Sequence, residues 1–188
     1  MFSPSFCPKC GGPDLGQQVP PGDTHERLMC RGCGYIHYVN PKIIAGCIIE
    51  QDGKYLLCQR AIPPRPGTWT LPAGFMEAGE TTEQAIERRC RFEVGVEIAH
   101  LTPIAADFRY CEIDPSGIVE NEICPVFAAQ IVSPLRVNPD EVVDYQWVEL
   151  TSLLCALEAT PWAFSPWMVS EAANAREKLR QFADNLKA

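Results

Sequence analysis

The sequence contains no long apolar run and no excess of basic residues. No segment approaches the ~18 consecutive apolar residues of a membrane-spanning helix, and the first residues lack the charged-then-apolar pattern of an export signal. These absences predict a cytoplasmic protein that does not enter a membrane. Lysine and arginine total 16 against 24 acidic residues, which gives a formal net charge of −8. Such a surface does not attract nucleic acid or anionic lipid in general, so neither is predicted as a partner.

Several motifs for phosphate binding and catalysis are absent as well. The chain has no Walker motif, no dinucleotide-binding glycine pattern, no G-x-S-x-G motif and no internal repeat. Binding of a phosphate-bearing substrate would therefore need local cations, and a bound divalent metal is the first expectation. The 188 residues, 46% apolar and 21% charged, suit one ordinary globular domain plus a small module.

Cysteine is abundant, and its spacing indicates a metal site. Four of the ten cysteines form the pattern C-x2-C-x19-C-x2-C: Cys7, Cys10, Cys30 and Cys33. Glycine follows each pair and permits the tight turn that directs two sulfurs at one ion, as in tetrathiolate zinc sites. Four thiolates complete the coordination sphere, so we predict a structural Zn²⁺ that folds a ribbon over residues 1–38. His25 and His37 are then surface residues rather than ligands.

Residues 74–96, GFMEAGETTEQAIERRCRFEVGV, are predicted to form a loop that leads into a helix. Thr81 and Gln84 make a capping box, and Gly95 is placed to end the helix in a left-handed conformation. The helix carries an apolar stripe that is expected to pack on a sheet, formed by Ile86, Cys90 and Val94. An adjoining arc is expected to face the glycine-bearing loop and holds Ala85, Arg89, Phe92 and Glu93.

Apolar segments bounded by turn residues predict the strands of the sheet. They lie at residues 42–50, 54–60, 101–112, 119–132 and 145–148. Asp52-Gly53 is a hairpin turn between the first two strands. A C-terminal helix is expected from Pro166, capped by Ser165, to about residue 186.

The loop and helix resemble the Nudix box, G-x5-E-x7-R-E-U-x-E-E-x-G-U, where U is a bulky aliphatic residue. The matching positions are Gly74, Glu80, Arg88, Glu93, Gly95 and Val96. The segments FCPKCGGP, YVNPKIIAGCIIE, LLCQR and WTLPAGFMEAGE extend the resemblance to the zinc-ribbon branch of the Nudix hydrolases over residues 6–160. Within that branch the chain resembles the plant plastid FAD pyrophosphatases and, less closely, the NADH pyrophosphatases, which also carry a zinc ribbon. The S-Q-P-W-P-F-P signature of the NADH pyrophosphatases is absent.

The resemblance implies a fold and a reaction. The fold is a Nudix α/β/α sandwich with a mixed sheet over residues 39–188, which includes the C-terminal helix and follows the zinc ribbon, and a homodimer is implied. The reaction is metal-dependent hydrolysis of the pyrophosphate in a nucleotide such as FAD or ADP-ribose. The implied catalytic residues are Glu80, Arg88, Glu93 and Glu141. The implied ligands of Mg²⁺ or Mn²⁺ are Glu93, Glu141 and the carbonyl of Ala73.

Some positions leave alternatives open. Nudix proteins commonly carry a further carboxylate in the loop ahead of a Trp-containing strand, which here is the acidic loop at residues 138–141. Glu141 fits that position best, with Asp140 and Asp144 as rivals. Arg60 and Arg89 are candidate phosphate-binding residues, and Phe108 either stacks on a base or fills the core. For Arg60, a surface position without a binding role is an equally good interpretation. For Phe108, a position in the core is preferred over stacking on a base.

Arg89 and Phe92 occupy box positions at which the family carries carboxylates. One hypothesis is therefore a hydrolase in which other carboxylates compensate, the candidates being Glu77, Glu83, Glu87, Glu120 and Glu122. The alternative is a catalytically silent Nudix module that binds a nucleotide, with Arg89 in place of metal at the phosphates. A nucleic-acid-binding zinc ribbon is disfavoured by the acidic charge.

Overall fold

The computed structural model describes residues 4–63, 65–113, 119–159, 181–182 and 184–185. These residues divide into two compact units. The first comprises the described residues up to Pro41 with part of 112–120, and the second comprises those of 42–111 and of 121–188. The domain limits predicted from the sequence, 1–38 and 39–188, remain a prediction. No helix among the described residues is long and apolar enough to cross a membrane.

The first unit contains a small antiparallel sheet. Its strands lie in the order β1 (Leu15–Gln18), β2 (Arg27–Cys30) and β3 (Ile36–His37). Leu15 pairs with Cys30 and Met29 pairs with Ile36, so β2 lies between the other two strands. Because Cys30 ends β2, the sheet fixes where the second cysteine pair begins.

The second unit is built on a mixed sheet. Its strands are β4 (Lys42–Gln51), β5 (Lys54–Arg60), β6 (Trp69–Thr70), β7 (Ala73–Phe75), β8 (Ile98–Ile113), β9 (Val119–Ile131) and β10 (Val142–Glu149). The order is β10-β5-β4-β9-β8, with β6 paired to β5 and β7 paired to β4. Strand β4 runs parallel to β9 and antiparallel to β5 and β7. The two-residue turn between β4 and β5 has positive φ at Asp52 and Gly53, as the predicted hairpin requires.

Each face of this sheet carries its own hydrophobic core. Along β4 and β5 successive side chains alternate between the two cores, because neighbouring residues of a strand face opposite sides. One core includes Cys47, Leu56 and residues of α1 (Thr82–Val94), and the other includes Ile48, Leu57 and residues of α2 (Leu150–Ala159). Helices therefore cover both faces, which confirms the predicted sandwich with a mixed sheet.

Helix α1 begins and ends where the sequence indicates. Thr81 accepts a hydrogen bond from the Gln84 amide, and the Gln84 side chain accepts one from the Thr81 amide. Gly95 has φ 65°, and a Cβ there would collide with the carbonyl of Arg136. The predicted apolar stripe of Ile86, Cys90 and Val94 is fully buried.

Short strands were not predicted from the sequence. β1, β2, β3, β6 and β7 are two to four residues long, too short for an alternating pattern to be read. β10 begins at Val142, three residues before its predicted start. Of the helix predicted from Pro166 to about residue 186, the structure describes residues 181–182 and 184–185, which are helical; the other residues of the predicted helix lie outside the described ones.

Candidate functional site

The four predicted zinc cysteines lie together in the first unit. Their sulfurs are all within 4.8 Å of one another, with Cys7 Sγ 3.6 Å from Cys33 Sγ and Cys10 Sγ 3.7 Å from Cys30 Sγ. Four sulfurs about 2.3 Å from one ion at tetrahedral corners lie roughly 3.8 Å apart, so the cluster fits Zn²⁺. This arrangement supports the predicted structural zinc.

The two cysteine pairs are built in the same way. Gly11 donates its amide to the carbonyl of Cys7, and Gly34 donates to that of Cys30, each at 2.8 Å. Both glycines have φ 71°, a conformation that other residues seldom adopt. The glycine after each pair therefore closes the turn that brings the two sulfurs to one side.

In the second unit, Glu80 and Arg88 connect the glycine-bearing loop to α1. Nε and Nη2 of Arg88 donate to the two carboxylate oxygens of Glu80, and Nη2 also donates to the carbonyl of Phe75 at 2.9 Å. The Glu77 amide donates to Glu80 as well. The hydrogen bonds from Arg88 lower the pKa of Glu80 to about 2. A carboxylate that stays ionised in this way can stabilise the loop through its ion pair with Arg88. The catalytic roles predicted for Glu80 and Arg88 remain predictions.

Backbone hydrogen bonds bring the acidic loop to the end of α1. The Asn138 amide donates to the carbonyl of Glu93, and the Arg136 amide donates to that of Val94. The Ala61 amide, just past β5, donates to the carbonyl of Glu141. The sheet and the helix together therefore place Glu141 beside Glu93, although 48 positions separate them in the chain.

Arg89 lies between the two carboxylates. Its Nε and Nη2 both donate to Oε1 of Glu93, the Nε contact being 2.9 Å, and Oε2 of Glu141 lies 3.8 Å from Nη2. The side chains are 7% (Glu93), 19% (Arg89) and 18% (Glu141) exposed. The predicted residues Glu93, Arg89 and Glu141 thus form one charge cluster, with a guanidinium at its centre.

Gly74 and Phe92 also lie against the Arg89 side chain. A Cβ at Gly74 would lie well inside van der Waals contact of the Arg89 guanidinium, so only glycine leaves room for it. The Arg89 Cζ lies 5.3 Å from the centre of the Phe92 ring, a cation–π geometry. The two residues that replace carboxylates of the box therefore pack on each other.

Burial raises the pKa of Glu93 to about 7, although Arg89 and a hydrogen bond from the Ala73 backbone oppose the shift. A carboxyl group with this pKa is partly protonated at neutral pH. Glu93 is thus suited to exchange a proton with a ligand.

The raised pKa predicts a pH-dependent stability. The folded chain holds the Glu93 proton more tightly than the unfolded chain, so this contribution is complete below pH 4.5 and is lost as pH rises through about 7. Its loss lowers the free energy of unfolding by about 3 kcal/mol. We expect Glu93→Gln to remove that decrease between pH 5 and 8 in denaturant titrations. Glu97→Gln, at a surface ion pair with Arg91, should keep it, and an equal slope in the natural chain and Glu93→Gln would contradict the assignment.

Other predicted residues make different contacts, and of these the Ala73 backbone hydrogen-bonds Glu93. Arg60 donates to the carbonyl of Pro63 at 3.1 Å. Asp140 and Asp144 are exposed, which leaves Glu141 as the loop carboxylate beside Arg89. Ala73 lies in β7, next to Gly74, and the side chain of Phe108 lies outside the described residues. The binding roles of these residues remain predictions.

No compensating carboxylate cluster is present in the part of the chain that the structure describes. Among the described residues, the group of three or more potential metal ligands close enough to bind one ion is the cysteine cluster. Glu77, Glu83 and Glu87 are exposed, and Glu122 is buried in β9. The side chain of Glu120 lies outside the described residues.

The sequence contains a signal for the Arg89 pairings in the spacing of residues along α1. Arg89 and Glu93 are four residues apart, and Arg89 and Phe92 are three apart, the two spacings at which side chains meet on a helix. These spacings predict that a guanidinium would cover Glu93 and stack on Phe92. They do not reveal Glu141 as the second carboxylate, since the loop that carries it is distant in sequence.

Comparison with known proteins gives a family for each part of the chain. The family described as NUDIX domain matches residues 40–168, and the one described as Nudix N-terminal, a zinc ribbon, matches residues 5–39. A solved NUDIX hydrolase from Nitrosomonas europaea is 35% identical, with a TM-score of 0.60 and 77% of each chain covered. The NUDIX domain of Shewanella oneidensis NrtR, at 20% identity and a TM-score of 0.58, supports the fold alone; 76% of this chain and 90% of that one are covered.

Curated relatives bear on the activity. A protein of Enterobacter sp. (strain 638) named isopentenyl-diphosphate Delta-isomerase is 79% identical over 144 residues, which cover 75% of this chain and 79% of that protein. One of the same name from Salmonella heidelberg (strain SL476) is 53% identical over 176 residues, or 89% of this chain and 94% of that protein.

The names of these relatives contradict the predicted reaction and leave the predicted enzyme class only partly supported. Hydrolysis of FAD, ADP-ribose or a related dinucleotide is wrong as the predicted function, because close relatives are named isomerases. The Nudix box specifies a scaffold rather than a reaction. The two box carboxylates that this chain lacks are among the residues that would take part in hydrolysis. The coarser prediction, that the chain is an enzyme that binds a small molecule, is supported by the family matches. With a Nudix domain over most of its length and a Nudix zinc ribbon before it, the chain belongs to the Nudix family.

Proposed function

We propose that this chain acts on isopentenyl diphosphate and moves its carbon–carbon double bond. The observation that carries the proposal is the 79% identity over 144 residues to an isopentenyl-diphosphate Delta-isomerase. The cluster of Arg89, Glu93 and Glu141 supports it, because it combines a cation for the diphosphate with carboxyl groups that can exchange protons.

The reaction needs one proton added and one removed. A proton added to the terminal carbon of the alkene makes a methyl group and leaves a positive charge on the branched carbon. Loss of a proton from the CH2 group between that carbon and the carbon bearing the diphosphate oxygen forms the new double bond. The carbon–oxygen bond to the diphosphate stays intact, so no water attacks phosphorus.

In this proposal Glu93 donates the first proton and the Glu141 carboxylate accepts the second. Glu93 is suited to the role because burial raises its pKa to about 7. The exposed Phe92 ring, beside Arg89, offers a face that stabilises a nearby carbocation. The positive charge of Arg89 is directed to the diphosphate end of the substrate.

The Mg²⁺ or Mn²⁺ site implied by the Nudix resemblance does not fit these residues. The implied ligand Glu93 already accepts two hydrogen bonds from a guanidinium, and Phe92 provides no oxygen atom. A divalent ion prefers several oxygen ligands and would here meet a fixed positive charge. The proposed reaction therefore includes no step that involves a divalent ion.

Proton NMR of the zinc-loaded chain with isopentenyl diphosphate in D2O tests the proposal. We expect a new allylic methyl signal, with deuterium incorporated into the methyl group, and no release of phosphate or pyrophosphate. Release of phosphate without the allylic product would contradict it, as would unchanged substrate over hours. The Glu97→Gln variant, altered at a surface ion pair, should behave as the natural chain does.

A further inference from the structure

We propose that Arg89 supplies, from within the chain, the positive charge that binds the diphosphate group, in place of a divalent cation. The inference rests on the diphosphate substrate of the proposed function and adds how that group is recognised. It predicts binding of a diphosphate without any added divalent ion.

Arg89 is held in one position rather than free on the surface. Glu93 accepts two of its N–H groups, the Gly74 backbone leaves space for its guanidinium, and the Phe92 ring lies 5.3 Å from its Cζ. Its side chain is 19% exposed. A guanidinium fixed in this way loses little conformational freedom when it binds a ligand.

Part of the guanidinium remains available for a ligand. An arginine side chain has five N–H donors, and Glu93 accepts two of them. Glu141, at 3.8 Å, is too far to accept a hydrogen bond, and among the described residues the Arg89 guanidinium donates hydrogen bonds to Glu93 alone. Three donors are thus left in the planar arrangement that matches phosphate oxygens.

The same arrangement opposes a divalent cation. An ion on the Glu93 carboxylate would lie about 2.1–2.6 Å from its oxygen, and Nε of Arg89 is 2.9 Å from Oε1. The two positive centres would then be on the order of 5 Å apart in a poorly solvated site. Arg89 and an ion at Glu93 therefore compete for one carboxylate.

The two box positions that lack carboxylates act as one unit in this inference. Arg89 brings the charge, and Phe92, three residues on, stacks against it. Exchanging both for glutamate removes the internal cation and provides two ligands next to Glu93. That exchange should replace recognition of the diphosphate by Arg89 with recognition by a bound divalent ion. The inference can therefore be tested by loss of the first and by gain of the second.

The first experiment measures binding of inorganic pyrophosphate by calorimetry in buffer stripped of divalent ions, with the structural zinc checked by elemental analysis. We expect the natural chain to bind, and Arg89→Gln to weaken binding on the order of 10- to 100-fold. Arg89→Lys keeps the positive charge beside Glu93, so we expect it to fold and to retain part of the affinity. Arg91→Gln is the matched control, because Arg91 is on the same helix, 57% exposed, and paired with Glu97.

The second experiment measures Mn²⁺ binding by the electron paramagnetic resonance signal of the free ion. The zinc-loaded natural chain should leave Mn²⁺ free, whereas the chain with Arg89→Glu and Phe92→Glu should bind it. Pyrophosphate should then bind the double variant only when Mn²⁺ is present.

The inference would be overturned by Mn²⁺ bound to the natural chain as tightly as to the double variant, by pyrophosphate bound only with a divalent ion, or by an unchanged pyrophosphate affinity in Arg89→Gln. Absence of pyrophosphate binding by the natural chain would overturn it too. None of these measurements uses turnover. Metal-free binding that depends on Arg89 in a chain without isomerase activity would uphold the inference while the proposed function fails.

Discussion

Replacement of Glu93 by glutamine is expected to lower turnover of isopentenyl diphosphate by about 10²–10⁴-fold, since it removes a positioned proton donor. Glutamine keeps the size of the side chain and an oxygen that can accept hydrogen bonds from Arg89. Binding of the diphosphate should therefore change much less than turnover. The measurement is the initial rate of allylic product formation, with binding of pyrophosphate as the comparison.

The pH dependence of turnover separates a proton donor from a structural residue. Burial raises the pKa of Glu93 to about 7, so its protonated form and the rate of the natural chain should decrease as pH rises through that value. The residual rate of Glu93→Gln should lose this decrease. Turnover in Glu93→Gln within a few fold of the natural rate, with the same pH profile, would rule out Glu93 as the donor.

Local signals in the sequence were sufficient to predict the scaffold of this site. Thr81 and Gln84 specify the start of α1, and Gly95 specifies its end, because each acts on backbone groups within one turn of the helix. The apolar strands around Asp52-Gly53 specify the hairpin in the same way. Loop, helix and sheet could therefore be predicted from residues that lie near one another in the chain.

The chemistry of the site depends on contacts that no local signal reports. Glu141 meets Arg89 only because backbone hydrogen bonds dock the acidic loop on the end of α1. The raised pKa of Glu93 depends on burial by the assembled sheet and helix. The resemblance specifies the scaffold, whereas the predicted reaction depended on two carboxylates that this chain replaces with Arg89 and Phe92.

Two replacements inside the box therefore carry more information about function than the positions that match it. The matching residues Glu80 and Arg88 pair with each other and support the loop. Arg89 and Phe92 instead change the charge and polarity at Glu93, where we propose that the ligand binds. In the proposed reaction the diphosphate stays intact, so no carboxylate is needed to activate a water for attack on phosphorus.

Loss of one zinc ligand is expected to have the largest effect on the first unit. In zinc-finger peptides the metal contributes about 10–16 kcal/mol of folding free energy at neutral pH, far more than a short three-stranded sheet gains by its own packing. We expect Cys7→Ser to lower the zinc content below one ion per chain. The amide signals of β1, β2 and β3 should then collapse to unfolded positions in a nitrogen–proton correlation spectrum.

Cys155→Ser is the matched control, because Cys155 is exposed on α2 and is not one of the four clustered cysteines. This variant should keep one zinc ion per chain and the dispersed signals of the ribbon. Cys10→Ser and Cys33→Ser should repeat the effect of Cys7→Ser, since each of the two turns supplies two of the four sulfurs. A Cys7→Ser chain that holds a full equivalent of zinc with an intact ribbon would show that the four sulfurs do not bind the ion together.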